Sequence, residues 1–170
     1  MDGKTKVNMA STIFGASLYQ SPNMEENIRY DVLGADSEAF KNGDIVTVDT
    51  GVVSIVDAAT EKIYGVIQGA QTMPSTNDTV YPGVTPAGEN YIFLMGCNAA
   101  LTDNETDYGK FFGITGASGA QQVDVVSGVT TTTSRQVVII KVDPNNVGGT
   151  EGPQEVLIKF VDTTDSTTPN

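Results

Sequence analysis

The fold is decided by residues 43–67, which read Gly43-Asp-Ile-Val-Thr-Val-Asp-Thr-Gly-Val-Val-Ser-Ile-Val-Asp-Ala-Ala-Thr-Glu-Lys-Ile-Tyr-Gly-Val-Ile67. Three short β-branched runs, Ile45 to Val48, Val52 to Val56 and Ile63 to Ile67, are separated by polar turns. Runs rich in Val, Ile and Thr and bounded by Gly and Asp are typical of strands. Their close spacing predicts a meander of antiparallel strands in a small, all-β barrel or sandwich, not a βαβ enzyme.

The charge balance limits the kinds of partner. The chain of 170 residues has 9 basic and 21 acidic side chains, a net charge of −12. Binding to nucleic acid or to an anionic membrane depends on Lys and Arg, so we expect neither partner. An acidic body favours solubility and can also pair with a basic patch on another protein. No apolar run reaches the roughly 18–20 residues that span a bilayer, and the start of the chain lacks a signal peptide, so we expect synthesis in a reducing cytoplasm.

Reactive groups are scarce. Histidine is absent and Cys97 is the single cysteine, in an apolar run that predicts a buried thiol. Histidine is the commonest general base and metal ligand, so we expect no enzyme activity, no cofactor and no metal. The carboxylates of Asp103 to Asp107 lack the pattern of an EF-hand and predict a solvated loop. The glycine-rich segment from Gly113 to Gly119 lacks the lysine of a phosphate loop and predicts a turn.

Four segments follow from composition. Residues 1–28 predict an N-terminal arm, residues 29–142 the β-barrel core, residues 143–153 a linker, and residues 154–170 a terminal strand with a disordered tail. The linker separates one strand from the core, and an isolated strand is unstable. We therefore expect that strand to pair with an edge of its own barrel or of a neighbouring subunit. The further predicted core strands are Ile28 to Leu33, Tyr91 to Cys97, Phe111 to Thr115, Val123 to Val126 and Gln136 to Val142, with a long proline-rich loop at residues 69–88.

Contacts with a partner are predicted in three places: the arm, the proline-rich loop and the terminal strand. The arm carries a few apolar side chains in a polar setting, and the terminal strand would add main-chain pairing. The predicted contact residues are Ile13, Phe14, Leu18, Tyr19, Tyr81, Val156, Ile158 and Phe160.

The order of strands and turns resembles a known family. Lys41-Asn-Gly-Asp-Ile-Val-Thr-Val-Asp49 is followed by Gly51-Val-Val-Ser-Ile-Val56 and by Ile63-Tyr-Gly-Val-Ile67. Phe111-Phe-Gly-Ile-Thr115 and Val137-Val-Ile-Ile-Lys-Val142 then extend the likeness to about residues 40–142. This pattern is similar to that of the capsid decoration (cement, or head-stabilising) proteins of tailed bacteriophages. The likeness lies in strands and turns, and it carries over no individual functional residue.

The resemblance implies a structural protein of the virion. Such a protein binds the outer surface of an assembled capsid, often as a homotrimer, and stabilises the shell by bridging subunits of the major capsid protein. Two other classes remain open. One is a structural component of a phage tail or fibre. The other is a carbohydrate- or ligand-binding β-module, which would have a concave patch lined by exposed aromatic side chains among Tyr64, Tyr81, Tyr91 and Tyr108.

Overall fold

A computed structural model describes residues 15–21, 28–58, 60–88, 90–99, 101, 108–127, 135–142 and 155–161. The prediction of an all-β fold is confirmed: these residues form short strands in curled sheets that make a half-barrel, and they contain no helix. The strands are β1 (Ala16–Gln20), β2 (Leu33–Gly34), β3 (Ala39–Phe40), β4 (Ile45–Asp49), β5 (Val52–Ile55), β6 (Gly65–Ile67), β7 (Gln71–Thr72), β8 (Val84–Pro86), β9 (Ile92–Gly96), β10 (Phe111–Phe112), β11 (Ile114–Thr115), β12 (Gln122–Val123), β13 (Val137–Val142) and β14 (Glu155–Phe160).

Two five-stranded sheets make up the body. Sheet one has the order β1-β9-β14-β13-β10, with every neighbouring pair antiparallel. Sheet two has the order β2-β5-β4-β6-β8, and only its β2–β5 pair is parallel. The remaining strands form two ribbons, β3 with β7 and β11 with β12. We call residues 28–88 the sheet-two half, and the described residues before and after them the sheet-one half.

Sheet two is buried on both faces because its strands alternate between two cores. Ile45 and Val66 point into a first core that also contains Phe93, Ile139 and Ile158 of sheet one. Their neighbours in sequence point the other way, into a second core between sheet two and the β3–β7 ribbon. That second core contains Phe40, Val46, Val53, Tyr64, Ile67, Met73 and Val84.

The quoted stretch forms three strands, but they do not follow one another as a meander. A two-residue turn at Thr50 and Gly51, both with positive φ, joins β4 to β5 as a hairpin. Strand β6 then pairs with β4 on its other side, so β4 lies between the two. The prediction of a simple meander is therefore wrong. In the turn after β5, the Glu61 carboxylate accepts hydrogen bonds from the backbone N–H groups of Asp57 and Ala58, both at 2.8 Å.

The terminal strand takes an internal position. Strand β14 lies between β9 and β13 in its own chain, so the expectation that it pairs at a sheet edge is wrong. Val156 and Ile158 are fully buried in the first core, and this apolar face explains why the strand is enclosed. The sequence pattern places this strand beyond a linker, whereas its side chains belong to the same core as those of β9 and β13.

Two predicted segments differ in detail. Residues 28–33 do not form one strand: Arg29 makes a single bridge to Val84, and β2 begins only at Leu33. The proline-rich loop at residues 69–88 contains β7 and β8. Strand β8 ends at Pro86 and lies at the end of sheet two, the position where a strand tolerates proline. Residues 1–14, 143–154 and 162–170, on which the arm, linker and tail predictions largely fall, lie outside the described residues.

Candidate interaction surfaces

Two kinds of feature were sought in the part of the chain that the structure describes: grouped metal ligands and long apolar helices. No three carboxylate or thiol groups there come close enough to hold a metal ion. No helix with the length and apolar character needed to cross a bilayer occurs among the same residues. The side chain of Cys97 is buried, as predicted.

A buried glutamine fastens the two halves together. Gln121 is fully buried, and its Oε1 accepts a hydrogen bond from the backbone N–H of Ile45 at 2.6 Å. Its Nε2 donates to the carbonyl oxygens of Ile45 (3.1 Å) and Val56 (2.9 Å). A residue beside β12 thus satisfies backbone groups at the start of β4 and just after β5. Because buried backbone groups without partners are costly, this amide fixes the position of one half against the other.

A second glutamine makes a similar connection. Gln136, 1% exposed, accepts from the backbone N–H of Ile114 at 2.9 Å. Its Nε2 donates to the carbonyl oxygens of Ala58 (3.0 Å) and Glu61 (3.2 Å) in the turn after β5. The two glutamines therefore join the same turn region of the sheet-two half to two separate places in the sheet-one half.

A buried carboxylate completes the connection. Asp44 is fully buried and accepts from the backbone N–H of Lys41 (2.8 Å), the hydroxyl of Ser118 (2.7 Å) and the backbone N–H of Gly119 (2.6 Å). Close contact is possible here because Gly119 has no side chain: a Cβ atom would lie 2.4 Å from Cδ of Lys41. The scaffold that carries the surfaces is thus held by directional bonds as well as by apolar packing.

The face of sheet one that points away from the first core is also apolar, and its side chains belong to neither core cluster. The strand registers place Leu94 opposite Leu157, and Phe111 opposite Val138, on the face away from the first core. Leu157 is 1% exposed and the others are half-buried, yet none of them is part of either core cluster. We call this set, with Ile92 on the same face of β9, the outer stripe: Ile92, Leu94, Phe111, Val138 and Leu157.

Basic side chains flank the outer stripe. Lys159 lies opposite Val138, and Lys141 opposite Leu157. The Arg135 guanidinium stands 4.3 Å from the centre of the Phe111 ring. Glu155 is the carboxylate that the register places on this face, opposite Gly96. The face is therefore locally basic, in a chain whose net charge is −12.

A second surface lies at the β8 end of sheet two. Tyr30 is 63% exposed and Tyr81 is 42% exposed. The Tyr30 ring lies against Gly83, where an added Cβ atom would come within 2.9 Å of the ring. The carboxylates of Asp31 and Asp78, both exposed, are neighbours of these tyrosines in sequence. We call this set the tyrosine patch: Tyr30, Tyr81, Asp31 and Asp78.

The third surface is the edge of sheet one formed by β1. This strand lies at the end of the sheet order and, among the described strands, pairs only with β9. Its register shifts between Leu18 and Gln20, so Tyr19 lies at a bulge and is 46% exposed. An edge strand presents unpaired backbone groups along one side, which is how sheets accept an additional strand.

The predicted contact residues divide into three groups. Tyr19 and Tyr81 are exposed, and Leu18 is half-buried against the first core. Ile13 and Phe14 lie outside the described residues. Val156, Ile158 and Phe160 are buried in the first core, so contact with a partner would require β14 to leave its sheet. The outer stripe and Tyr30 were not predicted, although the doubly apolar run Val137-Val-Ile-Ile140 contained the signal for a second apolar face.

The tyrosines expected of a ligand-binding module do not share a surface. Tyr64 is 4% exposed and Tyr91 is 9% exposed, and both belong to the cores. The Tyr64 hydroxyl donates to Asp31 at 2.6 Å. Burial, followed by this hydrogen bond, raises the pKa of Tyr64 far above its ordinary value. Tyr81 and Tyr108 remain exposed.

Two carboxylates have pKa values displaced in opposite directions. In the sheet-two half, burial and the negative charges of Asp44 and Asp57 raise the pKa of Glu38. In the sheet-one half, partial burial by itself would raise the pKa of Asp124. Hydrogen bonds from Ser127, Asn98 and Val126 outweigh burial, so the pKa lies below its ordinary value. The Asn98 amide donates to Asp124 at 2.7 Å. The charged form of Glu38 is therefore disfavoured, chiefly by burial, whereas the charged form of Asp124 is favoured by its hydrogen bonds.

Comparisons with known proteins add no family. No protein-family model, no curated protein and no solved structure matches this chain.

Proposed function

We propose that this chain is a structural, non-enzymatic protein of a phage virion. It binds the outer surface of an assembled capsid and stabilises the shell by bridging subunits of the major capsid protein. In this proposal it is made in the host cytoplasm, acts at the capsid surface and works as a homo-oligomer, a trimer by the resemblance of residues 40–142. No nucleic acid, membrane or cofactor takes part.

The observation that carries the proposal is the β1 edge. Tyr19 protrudes from a bulge in β1, which lies at the end of sheet one. The start of this edge is occupied, because the backbone N–H of Ala16 donates to the Gly43 carbonyl at 2.8 Å, so Tyr19 lies at the far end of the strand. Ile13 and Phe14, also predicted contact residues, lie a few residues before this strand in sequence and outside the described residues. Main-chain pairing at such an edge, with apolar side chains beside it, is a general mode of docking between proteins.

Rigidity of the scaffold supports the same function. A protein that bridges capsid subunits raises the cost of opening the shell only if it does not itself deform. The buried bonds of Gln121, Gln136 and Asp44 tie the two halves of this chain together. The acidic body also suits a basic surface on the partner.

The test is to add the purified chain to capsids of the parent particle that have been stripped of it. We expect saturable binding and a higher temperature of capsid disruption. Tyr19→Ser should weaken binding at least about tenfold if the β1 edge makes the contact. Tyr108→Ser, which removes a tyrosine of similar exposure elsewhere, should leave binding unchanged. Absence of saturable binding by the natural chain would refute the proposal.

A further inference from the structure

The most exposed large apolar side chain among the described residues is that of Val126, at 70%. It lies in the loop of residues 124–127, directly after β12, and we call these four residues the valine loop. The preceding residue, Val125, packs against the first core. The valine loop therefore buries part of one valine and presents the next one to solvent.

Hydrogen bonds hold the valine loop in this shape. The Oδ1 atom of Asn98 accepts from the backbone N–H groups of Val125 (2.9 Å) and Val126 (3.2 Å). Its Nδ2 donates to the Asp124 carboxylate at 2.7 Å, and the same carboxylate accepts from the backbone N–H of Ser127 at 3.1 Å. Single exposed valines are common on protein surfaces. One that is already fixed by hydrogen bonds loses less conformational entropy when a partner covers it, so it is suited to binding.

The valine loop and Tyr19 lie at opposite ends of β9. Strand β12 is bridged to Cys97, directly after β9, and Asn98 follows. Tyr19 lies beside the start of β9, since its neighbour Gln20 pairs with Ile92. The chain advances six residues from Ile92 to Asn98, and at about 3.3 Å per residue the two places lie roughly 20 Å apart.

A protein that bridges two capsid subunits needs two separate contacts, and Tyr19 provides one. We propose that the valine loop is the second contact, with Val126 inserted into an apolar pocket on the surface of the major capsid protein. This inference rests on the proposed function and adds a second surface to it. A pocket is the fitting shape because a protruding side chain loses most of its contact with water there. Asn98 is a positioning residue: it fixes the side chain that makes the contact.

The test measures binding to capsids stripped of the chain, and the temperature of capsid disruption. Val126→Ser should weaken binding about tenfold and remove most of the gain in disruption temperature, because a protein attached at one point no longer bridges subunits. Val126→Ile keeps an apolar, β-branched side chain and should preserve both properties. Tyr30→Ser, which removes a side chain of similar exposure (63%) in the sheet-two half, should also preserve both.

Two further variants separate positioning from contact. Asn98→Ala keeps Val126 but removes the bonds of the loop. The amide hydrogens of Val125 and Val126 should then exchange faster with solvent, and binding should weaken at least about threefold. Tyr19→Ser combined with Val126→Ser should bind more weakly than either single variant, because the contacts are separate. The Val126 variants change an exposed position, so they test the contact even if Asn98→Ala does not fold.

The outcomes distinguish this inference from the proposed function. If the natural chain does not bind capsids, both fail. If it binds, and Val126→Ser binds and stabilises capsids equally well, the proposed function stands and the valine loop is not a contact. A loss in Val126→Ile or Tyr30→Ser as large as in Val126→Ser would overturn the apolar pocket. So would a double variant that binds as well as Tyr19→Ser alone.

Discussion

The two sheets differ in how their second faces are covered. Sheet two and sheet one are both apolar on both sides, and they share the first core between them. The second face of sheet two is closed by the β3–β7 ribbon and its loops, through Phe40 and Met73. The second face of sheet one carries the outer stripe and basic side chains instead. Strands that are apolar on both sides therefore occur in both halves, but only in sheet two does the second face join a core cluster.

The halves also differ in how they are assembled. Sheet two is built from segments close in sequence, beginning with the two-residue β4–β5 turn. Sheet one pairs β1 with β9 and β9 with β14, segments far apart along the chain. Long-range pairing carries a larger entropy cost of loop closure, so the sheet-one half depends more on the apolar burial that its strands achieve.

The largest loss of stability is expected from a substitution on the inner face of sheet one. Ile158→Ala removes a fully buried side chain from the first core and should lower the free energy of unfolding by about 3–4 kcal/mol. Leu94→Ala, on the half-buried outer face, should cost less than about 1.5 kcal/mol. Urea denaturation of both variants at a protein concentration where the chain is monomeric measures this difference. Equal losses would show that the two faces are not distinct.

Removing the hydrogen bonds between the two halves should cause the next largest loss of stability. Gln121→Ala removes the side-chain hydrogen bonds to the Ile45 N–H and to the Val56 carbonyl, while the Ile45 carbonyl keeps its bond from the Val56 N–H, and we expect a loss of about 3 kcal/mol. The two halves should then unfold less cooperatively, and the loss of cooperativity should lower the m-value of urea denaturation. Gln71→Ala, an exposed glutamine in β7, should change stability by less than about 0.5 kcal/mol. A Gln121→Ala variant as stable as this control would contradict the role of the amide.

The carboxylate of the sheet-one half should stabilise the protein at neutral pH. The folded pKa of Asp124 lies below its ordinary value of 3.8, so its contribution is present above pH 3.8 and is lost as the pH falls through the folded pKa. Asp124→Asn should therefore lower the melting temperature by about 2 °C at pH 7. The difference from the natural chain should shrink below about pH 3. A difference that does not change with pH would show that ionisation of Asp124 is not involved.

A substitution in the β4–β5 hairpin should increase the stability of the protein. Thr50 has a φ of 49°, which a β-branched residue adopts only with strain, and Gly51 follows at 88°. Asparagine is preferred at the first position of such a turn, so Thr50→Asn should raise the free energy of unfolding by about 0.5 kcal/mol. Thr79→Asn, in an exposed loop and without positive φ, serves as the control. A loss of stability in Thr50→Asn would contradict the turn assignment.

The smallest change in stability is expected from Glu38, the carboxylate of the sheet-two half whose pKa is raised. The folded pKa of Glu38 is raised above its ordinary value of 4.5, so its stabilising contribution is present below pH 4.5 and is lost as the pH rises through the folded pKa. Glu38→Gln should raise the melting temperature by about 1 °C at pH 7 and leave it unchanged near pH 4. Asp78→Asn, at an exposed position, is the matched control. A gain of the same size at both pH values would exclude charge repulsion as its cause.

Sequence patterns determined the local elements of this protein. The β-branched runs at Ile45 to Val48 and Val52 to Val56 are strands because such residues favour extended backbone. The Asn42-Gly43 turn follows from the conformational freedom of Gly43, which has a φ of 88°. The absence of histidine excludes that side chain from any site. These properties depend on neighbouring residues alone, so a linear pattern reports them.

Only the tertiary structure decided which strands lie side by side and which faces stay open. Placing β14 between β9 and β13, and β4 between β5 and β6, depends on apolar burial summed over segments far apart in the chain. The same placement buried Val156 and Ile158 and left Leu94 and Val138 on the outer face. An apolar residue in a strand has the same local pattern whether it faces a core or a partner, and the difference is made by what the rest of the chain packs against it.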